Sequence, residues 1–394
     1  MKVIVVAEQL RRDVPGGIGT YIRGLLGGLE RLGRPEPPGN PSGAAALTVG
    51  TDAVPTDAVP TDAVGTDAVG MASDPPAPDV ALWASRSSRR GPDPLAAFGS
   101  LRVSRISSRC LTRAWDHGLV RAPPGFDVIH ATSLLTPPTR AVHGSTTPMT
   151  VFVHDLAWRT LPDGVPARSR RWHDGALARV RRRATRILVP SASTADALGR
   201  SGFDTASITV VAEGCDHLPL HRRHDGGYLL SVSTLEPRKN LDRLIEAYVA
   251  ARTPLPLKIV GPRGWTDRRG RPVLAGSPPT GVELVGYVDD DTVAGLLAGA
   301  RALVYVPLLE GWGLPAVEAM RAGCPVVASP MPSIADAALV VDPTSIASIA
   351  AGIRQVVSDD ATAAELAGLG IRRASGLTWS GAARHHVAIW EDCR

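Results

Sequence analysis

The sequence lacks any long hydrophobic run. None of its apolar stretches approaches the ~18 residues that a membrane-spanning helix requires. The apolar N-terminal segment reaches Glu8 after a few residues, so it is too short for the core of a secretory signal peptide. The four cysteines lie far apart and form no C-x-x-C pair, which argues against a zinc site and against a disulfide framework. We therefore expect a cytoplasmic protein whose only membrane contact is peripheral, at the inner face.

Aromatic residues and lysines are also scarce. Aromatic residues make up 4% of the sequence, and no basic stripe is interleaved with them. This argues against a nucleic-acid partner, because such partners are usually bound by basic grooves with stacking rings. The net charge is +5, and only three of the 43 basic residues are lysines. A mild positive excess fits phosphate-bearing substrates or an anionic membrane surface.

Short apolar segments alternate with helical periodicity along the chain, a pattern that predicts α/β layers with parallel sheets. The length of 394 residues fits two domains. The strands predicted in the first half span residues 3–7, 127–131, 150–154, 186–190 and 208–212. Those predicted in the second half span residues 228–233, 257–261, 282–286, 302–306 and 325–329. The polar segment 218–227 ends in a glycine pair and is predicted to be the interdomain linker.

Residues 51–70 interrupt this alternation, because they repeat one five-residue unit four times as TDAVP, TDAVP, TDAVG and TDAVG. Proline or glycine at every fifth position would break a helix or a strand. We expect residues 35–100 to form a partly disordered insertion around this repeat. A partner-binding role for the repeat has no specific support in the sequence.

The segment EGWGLPAVE, residues 310–318, follows a predicted strand and opens a predicted helix. Its backbone N–H groups would lie at a helix N-terminus beside the end of a parallel strand, where α/β sheets bind phosphates. The groups concerned belong to Gly311, Trp312, Gly313 and Leu314. Glu310 precedes the helix and Glu318 lies inside it, so both carboxylates can face one ligand. An acidic loop followed by a surface glutamate would give the same bare spacing, but the glycines and proline favour a binding site.

Two cations follow the first strand of the second half. Arg238 and Lys239 lie in the segment STLEPRKN, and Asn240 is predicted to cap the next helix. At this edge of the sheet, two fixed cations can neutralise the charge on a leaving diphosphate. A solvated basic turn is the alternative interpretation.

Two further segments follow strands of the first half. Gly16 and Gly17 belong to a glycine-rich turn that lacks the residues of a Walker loop and of the dinucleotide fingerprint. His154 and Asp155 end a buried strand, where a histidine can bind a substrate hydroxyl or act as acid or base. A purely structural histidine is the alternative. The triple aspartate at 289–291 precedes a predicted helix, so we interpret it as an N-cap and not as a metal site.

Together these segments resemble the family-four glycosyltransferases, which are retaining enzymes of GT-B architecture. EGWGLPAVE is similar to that family's E-x7-E signature, STLEPRKN to its phosphate-contacting loop, PGGIGTY to its N-terminal glycine loop and VHDLAWRTLPD to its cleft histidine segment. The resemblance implies two Rossmann-like domains, 1–217 and 228–376, that face a cleft. It also implies that residues 377–394 form a helix that crosses back to the first domain.

The resemblance also implies roles for the candidate residues. Glu310 would hold the hydroxyls of the donor sugar and Glu318 the ribose of the nucleotide, while Arg238 and Lys239 would hold the diphosphate. By the same resemblance, Gly16 and Gly17 would approach the donor phosphate or the acceptor. His154 would touch the transferred sugar, and Asp155 would lie nearby on the acceptor side.

The expected reaction moves a hexosyl group, such as mannosyl, from a GDP- or UDP-sugar to the hydroxyl of a glycan or a lipid-linked glycan. Neither a cofactor nor a metal is expected. Two other classes stay open: an impaired sugar-nucleotide-binding protein, and a sugar-nucleotide epimerase of the same architecture. The impaired-protein alternative rests on residues 329–338, where the family commonly has additional residues between its P-S and D-A-A elements.

Overall fold

A computed structural model of the chain describes residues 1–12, 15–32, 76–87, 93, 95–139, 141–142, 145–221, 226–264, 273–274 and 276–394. The repeat at 51–70 and most of the predicted insertion lie outside these residues, as do residues 222–225 of the predicted linker. Among the described residues, no helix combines the length and the apolar character needed to cross a bilayer.

The first half of the chain builds a sheet of seven parallel strands, in the order β3-β2-β1-β4-β7-β8-β9. These are β1 (Lys2–Val6), β2 (Asp79–Arg86), β3 (Ser100–Ser107), β4 (Val128–Ala131), β7 (Met149–Phe152), β8 (Arg186–Val189) and β9 (Ile208–Val210). A separate antiparallel pair joins β5 (Ala141–Val142) and β6 (Ser145–Thr146). The helices are α1 (Gly16–Leu32), α2 (Ser108–Asp116), α3 (Ala157–Thr160), α4 (Ala167–Arg183) and α5 (Ala192–Arg200). The central strands are apolar runs because helices cover both faces of a parallel sheet.

The second half builds a sheet of six parallel strands, in the order β12-β11-β10-β13-β14-β15. These are β10 (Leu229–Val232), β11 (Leu257–Val260), β12 (Val282–Gly286), β13 (Ala302–Tyr305), β14 (Val326–Ala328) and β15 (Leu339–Val340). Its helices are α6 (Leu241–Ala251), α7 (Asp290–Gly299), α8 (Leu314–Arg321), α9 (Ile346–Ser358) and α10 (Asp360–Ser375). The two parallel α/β layers predicted from the sequence are therefore confirmed.

Of the strands in the two parallel sheets, the sequence analysis did not predict β2, β3 and the two-residue β15. Strand β2 lies within residues 35–100, so part of that region is a buried element of the first sheet. Strand β3 forms the edge of the sheet, and most of its residues are partly or fully exposed. An edge strand needs few apolar side chains, which explains its weak signal in the sequence.

The last helix, α11 (Trp379–Asp392), returns to the first half of the chain and packs against α1. A Cβ atom on Gly24 would lie 2.0 Å from the Trp379 ring, and one on Gly28 would lie 2.2 Å from the Trp379 carbonyl oxygen. Only glycine leaves room for this helix contact. The crossing helix implied by the family resemblance is thus confirmed.

A buried hydrogen-bonded chain fastens α11 to the first sheet. Nδ1 of His386 lies 2.7 Å from the carbonyl oxygen of Ala382 and must donate to it, so Nε2 of the neutral ring accepts from the Tyr21 hydroxyl at 2.8 Å. The same hydroxyl oxygen lies 2.9 Å from Nε2 of His130. Nδ1 of His130 and Nε1 of Trp390 both contact the Thr150 hydroxyl, which completes the chain. Every donor finds an acceptor when both histidines are neutral.

The two predicted helix caps have different outcomes. Asp289 accepts a hydrogen bond from the Thr292 amide at 2.8 Å and caps α7, as predicted. Asn240 occupies the N-cap position of α6, as predicted, but its side chain makes no capping bond. Its amide nitrogen instead donates to the carbonyl oxygens of Val306 and Pro343, at 3.0 and 2.7 Å. Its side-chain oxygen, the atom that a cap would use, accepts from Arg243 Nη1, and the residue has a φ of 60°.

Candidate active site

A cleft of about 490 Å³ lies between the two sheets. It is lined by residues that follow the carboxyl ends of strands in both sheets, the edge at which α/β sheets bind ligands. Every candidate site residue proposed from the sequence lines this cleft. They are Gly16, Gly17, His154, Asp155, Arg238, Lys239, Glu310, Gly311, Trp312, Gly313, Leu314 and Glu318. The fold therefore brings together segments that are up to about 300 residues apart along the chain.

Glu310 lies at the centre of a buried cluster on the second sheet. Its Oε1 atom accepts hydrogen bonds from Lys239 Nζ at 2.5 Å, the Tyr305 hydroxyl at 3.0 Å and Arg238 Nη1 at 3.2 Å. Arg238 also pairs through Nε with Glu236 at 2.7 Å. These contacts on Glu310 all end on Oε1, so its Oε2 atom is the one that can accept hydrogen bonds from a ligand.

The charges of this cluster shift the pKa values of its members. Burial raises the pKa of Glu310, but Lys239 and Arg238 outweigh burial and hold it below its usual value. Burial and the neighbouring Arg238 lower the pKa of Lys239. Burial also lowers the pKa of Arg238, but Glu310, Asp155 and Glu236 together raise it above its usual value. The cluster thus contains an ionised carboxylate that already compensates two cations.

The loop before α8 contacts the first half of the chain. Gly313 has a φ of 105°, which favours glycine, and α8 begins at Leu314. A Cβ atom on Gly311 would lie 1.8 Å from the carbonyl oxygen of His154. The Ser191 hydroxyl donates to the Gly311 carbonyl oxygen at 2.7 Å. The glycines of the E-x7-E segment therefore allow the loop to approach the opposite wall of the cleft.

His154 is held on the opposite wall. Its Nε2 atom donates to the Thr132 carbonyl oxygen at 3.0 Å, and its Nδ1 atom lies 3.3 Å from Oε1 of the buried Glu213. The edge of the ring packs against Tyr21, with centroids 5.1 Å apart. Both ring nitrogens face protein acceptors, so this arrangement does not favour the acid or base role considered from the sequence. Contact with a sugar remains the prediction for this residue.

Asp155 bridges the two walls of the cleft. Its Oδ1 atom accepts from the Ala157 amide at 2.9 Å, which fixes the side chain. Its Oδ2 atom lies 4.0 Å from Nη1 of Arg238, on the second sheet. The side chain therefore places a negative charge between the first half of the chain and the cation loop.

Glu318 has different surroundings from Glu310. It lies on α8 and its Oε1 atom is 3.1 Å from Nε2 of His217. Both side chains are mostly buried, with 10% and 13% of their surfaces exposed. The two carboxylates of the E-x7-E segment thus occupy separate parts of one cleft, one among cations and one beside an imidazole.

The sequence analysis missed several residues of the cleft. Glu213 and His217 lie just after β9, and Tyr305 ends β13. The rule that selected His154, a polar residue at the carboxyl end of a predicted strand, would also have found Glu213. The contact of His217 with Glu318 has no signal in the sequence, because it depends on how the two halves of the chain meet.

Residues 329–338 support the loop before α8 from behind. The Ser333 hydroxyl donates to the Gly313 carbonyl oxygen at 3.3 Å, and Arg373 donates to the Ser333 carbonyl oxygen at 2.9 Å. Ala335 adopts a φ of 46°, an uncommon value for a residue with a Cβ atom. Residues 329–338 do not line the cleft. These residues therefore contact the loop before α8 from outside the cleft.

Two family models match the chain, one after the other. The model described as Glycosyltransferase Family 4 matches residues 69–217, and the model described as Glycosyl transferases group 1 matches residues 219–370. Together they cover most of both sheets, but not β1 or the N-terminal glycine turn that lines the cleft. The chain belongs to the group 1 glycosyltransferases. Family membership confirms the resemblance found in the sequence motifs.

Two curated relatives of this group 1 glycosyltransferase are mannosyltransferases. It is 38% identical over 162 residues to the O-antigen chain mannosyltransferase B of Escherichia coli, a match that covers 39% of this chain and 42% of that protein. The match thus spans less than half the length of that relative. This chain is also 26% identical over 292 residues to an MMP alpha-(1->4)-mannosyltransferase from Mycolicibacterium hassiacum. That match covers 68% of this chain and 70% of the relative.

Among solved structures, this group 1 glycosyltransferase is similar to Anabaena HepE in complex with UDP and glucose. The TM-score is 0.64, the identity is 13%, and the match covers all of both chains. At that identity the likeness concerns the fold. It confirms the GT-B architecture, in which two α/β domains face a cleft.

Proposed function

We propose that this protein transfers a mannosyl group from a nucleoside-diphospho-sugar to a hydroxyl of a glycan or lipid-linked glycan, with retention of anomeric configuration and without a metal ion. The proposal rests on one observation: Arg238 and Lys239 both contact Glu310 in front of α8. The mannosyltransferase relatives support the choice of sugar, and the neighbour bound to UDP and glucose supports a nucleotide-sugar donor.

The cations and the helix suit the departure of a nucleoside diphosphate. When the bond between the sugar and the diphosphate breaks, negative charge develops on the phosphate oxygen. Arg238, Lys239 and the backbone N–H groups at the start of α8 would stabilise this charge. A bound diphosphate would share these cations with Glu310, which compensates them in the structure.

The carboxylates suit the recognition of donor hydroxyls. Oε2 of Glu310 would accept hydrogen bonds from hydroxyls of the transferred sugar, and Glu318 would accept from the ribose. The acceptor hydroxyl would approach from the first half of the chain, where His154 and Asp155 line the cleft. Each half supplies one part of the site, so catalysis needs both halves to face the same donor.

A panel of nucleotide sugars tests the proposal. The protein is incubated with GDP-mannose, UDP-glucose and related donors in metal-free buffer, with and without mannose-containing acceptors, and products are read by mass spectrometry. We expect release of nucleoside diphosphate that depends on the acceptor, with an α-linked product by NMR. Nucleotide binding without transfer would favour the impaired binding protein, and a changed donor sugar would favour the epimerase.

A further inference from the structure

Glu318 is held by a hydrogen-bonded relay that begins on the crossing helix. Nε1 of Trp379, the first residue of α11, lies 3.1 Å from Nδ1 of His217. Nε2 of the same imidazole lies 3.1 Å from Oε1 of Glu318. We propose that His217 is a positioning residue, which orients the carboxylate of Glu318 for the nucleotide under the control of Trp379. This inference rests on the proposed nucleotide-binding role of Glu318.

The chemistry of the three groups fixes the direction of the relay. An indole N–H can only donate, so Nδ1 of His217 must accept. The neutral imidazole then carries its single proton on Nε2, which donates to the Glu318 carboxylate. One carboxylate oxygen is thereby occupied, which leaves the other to accept from a ligand hydroxyl. Without Trp379, His217 could rotate or change tautomer and leave Glu318 without its donor.

The start of the relay is firmly fixed. Trp379 is completely buried, and its backbone amide donates to Oδ1 of Asp216 at 2.6 Å. Oδ2 of Asp216 pairs with Arg31 on α1 at 3.2 Å. A Cβ atom on Gly214 would lie 2.3 Å from the Trp379 nitrogen, so the segment before His217 fits closely around the tryptophan. A rigid donor can therefore hold His217 in one orientation.

The relay joins three parts of the molecule at one carboxylate. Trp379 belongs to the crossing helix, His217 follows the last strand of the first sheet, and Glu318 lies on α8 of the second half. The orientation of Glu318 in the second half thus depends on how α11 packs on the first half of the chain. This relationship gives the crossing helix a part in donor binding beyond the stability that it contributes.

Two substitutions of His217 separate positioning from simple packing. Asparagine places its amide near the position of Nδ1, so His217→Asn can still accept from Trp379 but does not reach Glu318. Glutamine places its amide nitrogen near Nε2, so His217→Gln can still donate to Glu318. His221→Asn is the matched control, because His221 pairs with Asp291 at 3.1 Å on the same stretch of chain but outside the cleft.

Calorimetric titration of the full chain with GDP and with UDP provides the measurement, together with thermal melts. We expect His217→Asn to weaken binding of the preferred nucleotide about tenfold, the size expected for one hydrogen bond to a charged group. His217→Gln should stay within about threefold of the wild type, and His221→Asn should be unchanged. With a donor sugar, His217→Asn should raise KM and leave kcat nearly unaltered.

A double-mutant cycle makes the test independent of stability. In the background of Glu318→Gln, His217→Asn should have little further effect on nucleotide affinity, because the partner it positions has lost its charge. Equal loss of affinity and melting temperature in both His217 variants, or unchanged affinity in His217→Asn, would overturn the relay. Failure of the wild type to bind GDP or UDP would overturn the proposed function, and the relay with it.

Discussion

Lys239 and Glu310 lie 71 residues apart in the chain and form a buried ion pair on the floor of the cleft. The ammonium shares the same carboxylate oxygen with Arg238 and the Tyr305 hydroxyl. This pair joins the cation loop after β10 to the loop before α8. Glu310 thus compensates both buried cations, which makes it the group whose removal has the largest expected effect.

The two carboxylates should differ in kinetics. Glu310→Ala should lower kcat about 100-fold or more with a smaller effect on donor affinity, because it removes charge control in the transition state. Glu318→Ala should mainly weaken nucleotide binding, by about tenfold. Steady-state kinetics with the preferred donor measures both. Glu283→Ala, a change in an exposed pair with Lys258, serves as the control. Small and equal effects from the two substitutions would contradict these assignments.

Removal of Glu310 should also change stability. Glu310→Ala leaves Lys239 and Arg238 buried without their shared counter-ion, and breaking a buried pair in this way costs about 3–5 kcal/mol. Binding of GDP or UDP supplies new negative charge to the same cations. Thermal melts should therefore show a larger stabilisation by nucleotide in the variant than in the wild type. If nucleotide stabilises the variant less than the wild type, the diphosphate does not bind at these cations.

Transfer activity should not require a divalent metal. Arg238 and Lys239 provide positive charge in the cleft, and among the described residues no three His, Cys, Asp or Glu side chains are grouped as ligands of a metal. Activity should therefore be unchanged by excess EDTA and by added Mg²⁺ or Mn²⁺. The assay is nucleotide release in metal-free buffer. Complete loss with EDTA and recovery with Mn²⁺ would show that the diphosphate needs a metal.

Gly311 should not tolerate a side chain. Its Cβ atom would lie 1.8 Å from the His154 carbonyl oxygen, so backbone on one side of the cleft would have to move. Gly311→Ala should lower the melting temperature by several degrees, since overpacking costs about 1–3 kcal/mol, and should lower activity strongly. The control is Gly295→Ala on α7, where a Cβ atom meets nothing within 4 Å. Equal melting temperatures for Gly311→Ala and the wild type would refute this contact.

The buried histidines should make the fold sensitive to acid. Burial lowers the pKa of His386 to about 4, and burial with the neighbouring His386 lowers that of His130 well below its usual value. The unfolded chain binds these protons near pH 6.5, so stability is complete above that pH and declines as the pH falls towards 4. His386 alone accounts for about 3 kcal/mol of this loss.

Urea unfolding at pH 7.5 and pH 5 measures the effect. His386→Gln keeps a polar group beside the Tyr21 hydroxyl but cannot be protonated in this range. The variant should therefore lose less stability than the wild type between the two pH values. An identical loss in both proteins would mean that His386 does not contribute to the acid response.

Much of the fold and of the candidate site was determined by the sequence alone. Apolar runs and their spacing gave ten strands of two parallel sheets, because strands buried on both faces consist almost entirely of apolar residues. The candidate residues could be grouped because polar side chains after parallel strands meet at one edge of a sheet. Local patterns carry this information, so Arg238 and Glu310 could be assigned to one ligand without a structure.

The tertiary structure alone decided the contacts between distant parts of the chain. Strand β3 is stabilised at the sheet edge by pairing with β2. Because half-exposed edge residues need not be apolar, this pairing gives no clear hydrophobic pattern in the sequence. The side chain of Asn240 at the start of α6 binds the Val306 and Pro343 carbonyl oxygens and makes no capping bond. The relay from Trp379 through His217 spans 162 residues. Such hydrogen bonds form only when the donor and acceptor atoms lie within a few tenths of an ångström of the right separation. Only the packing of both halves and the crossing helix can set that separation.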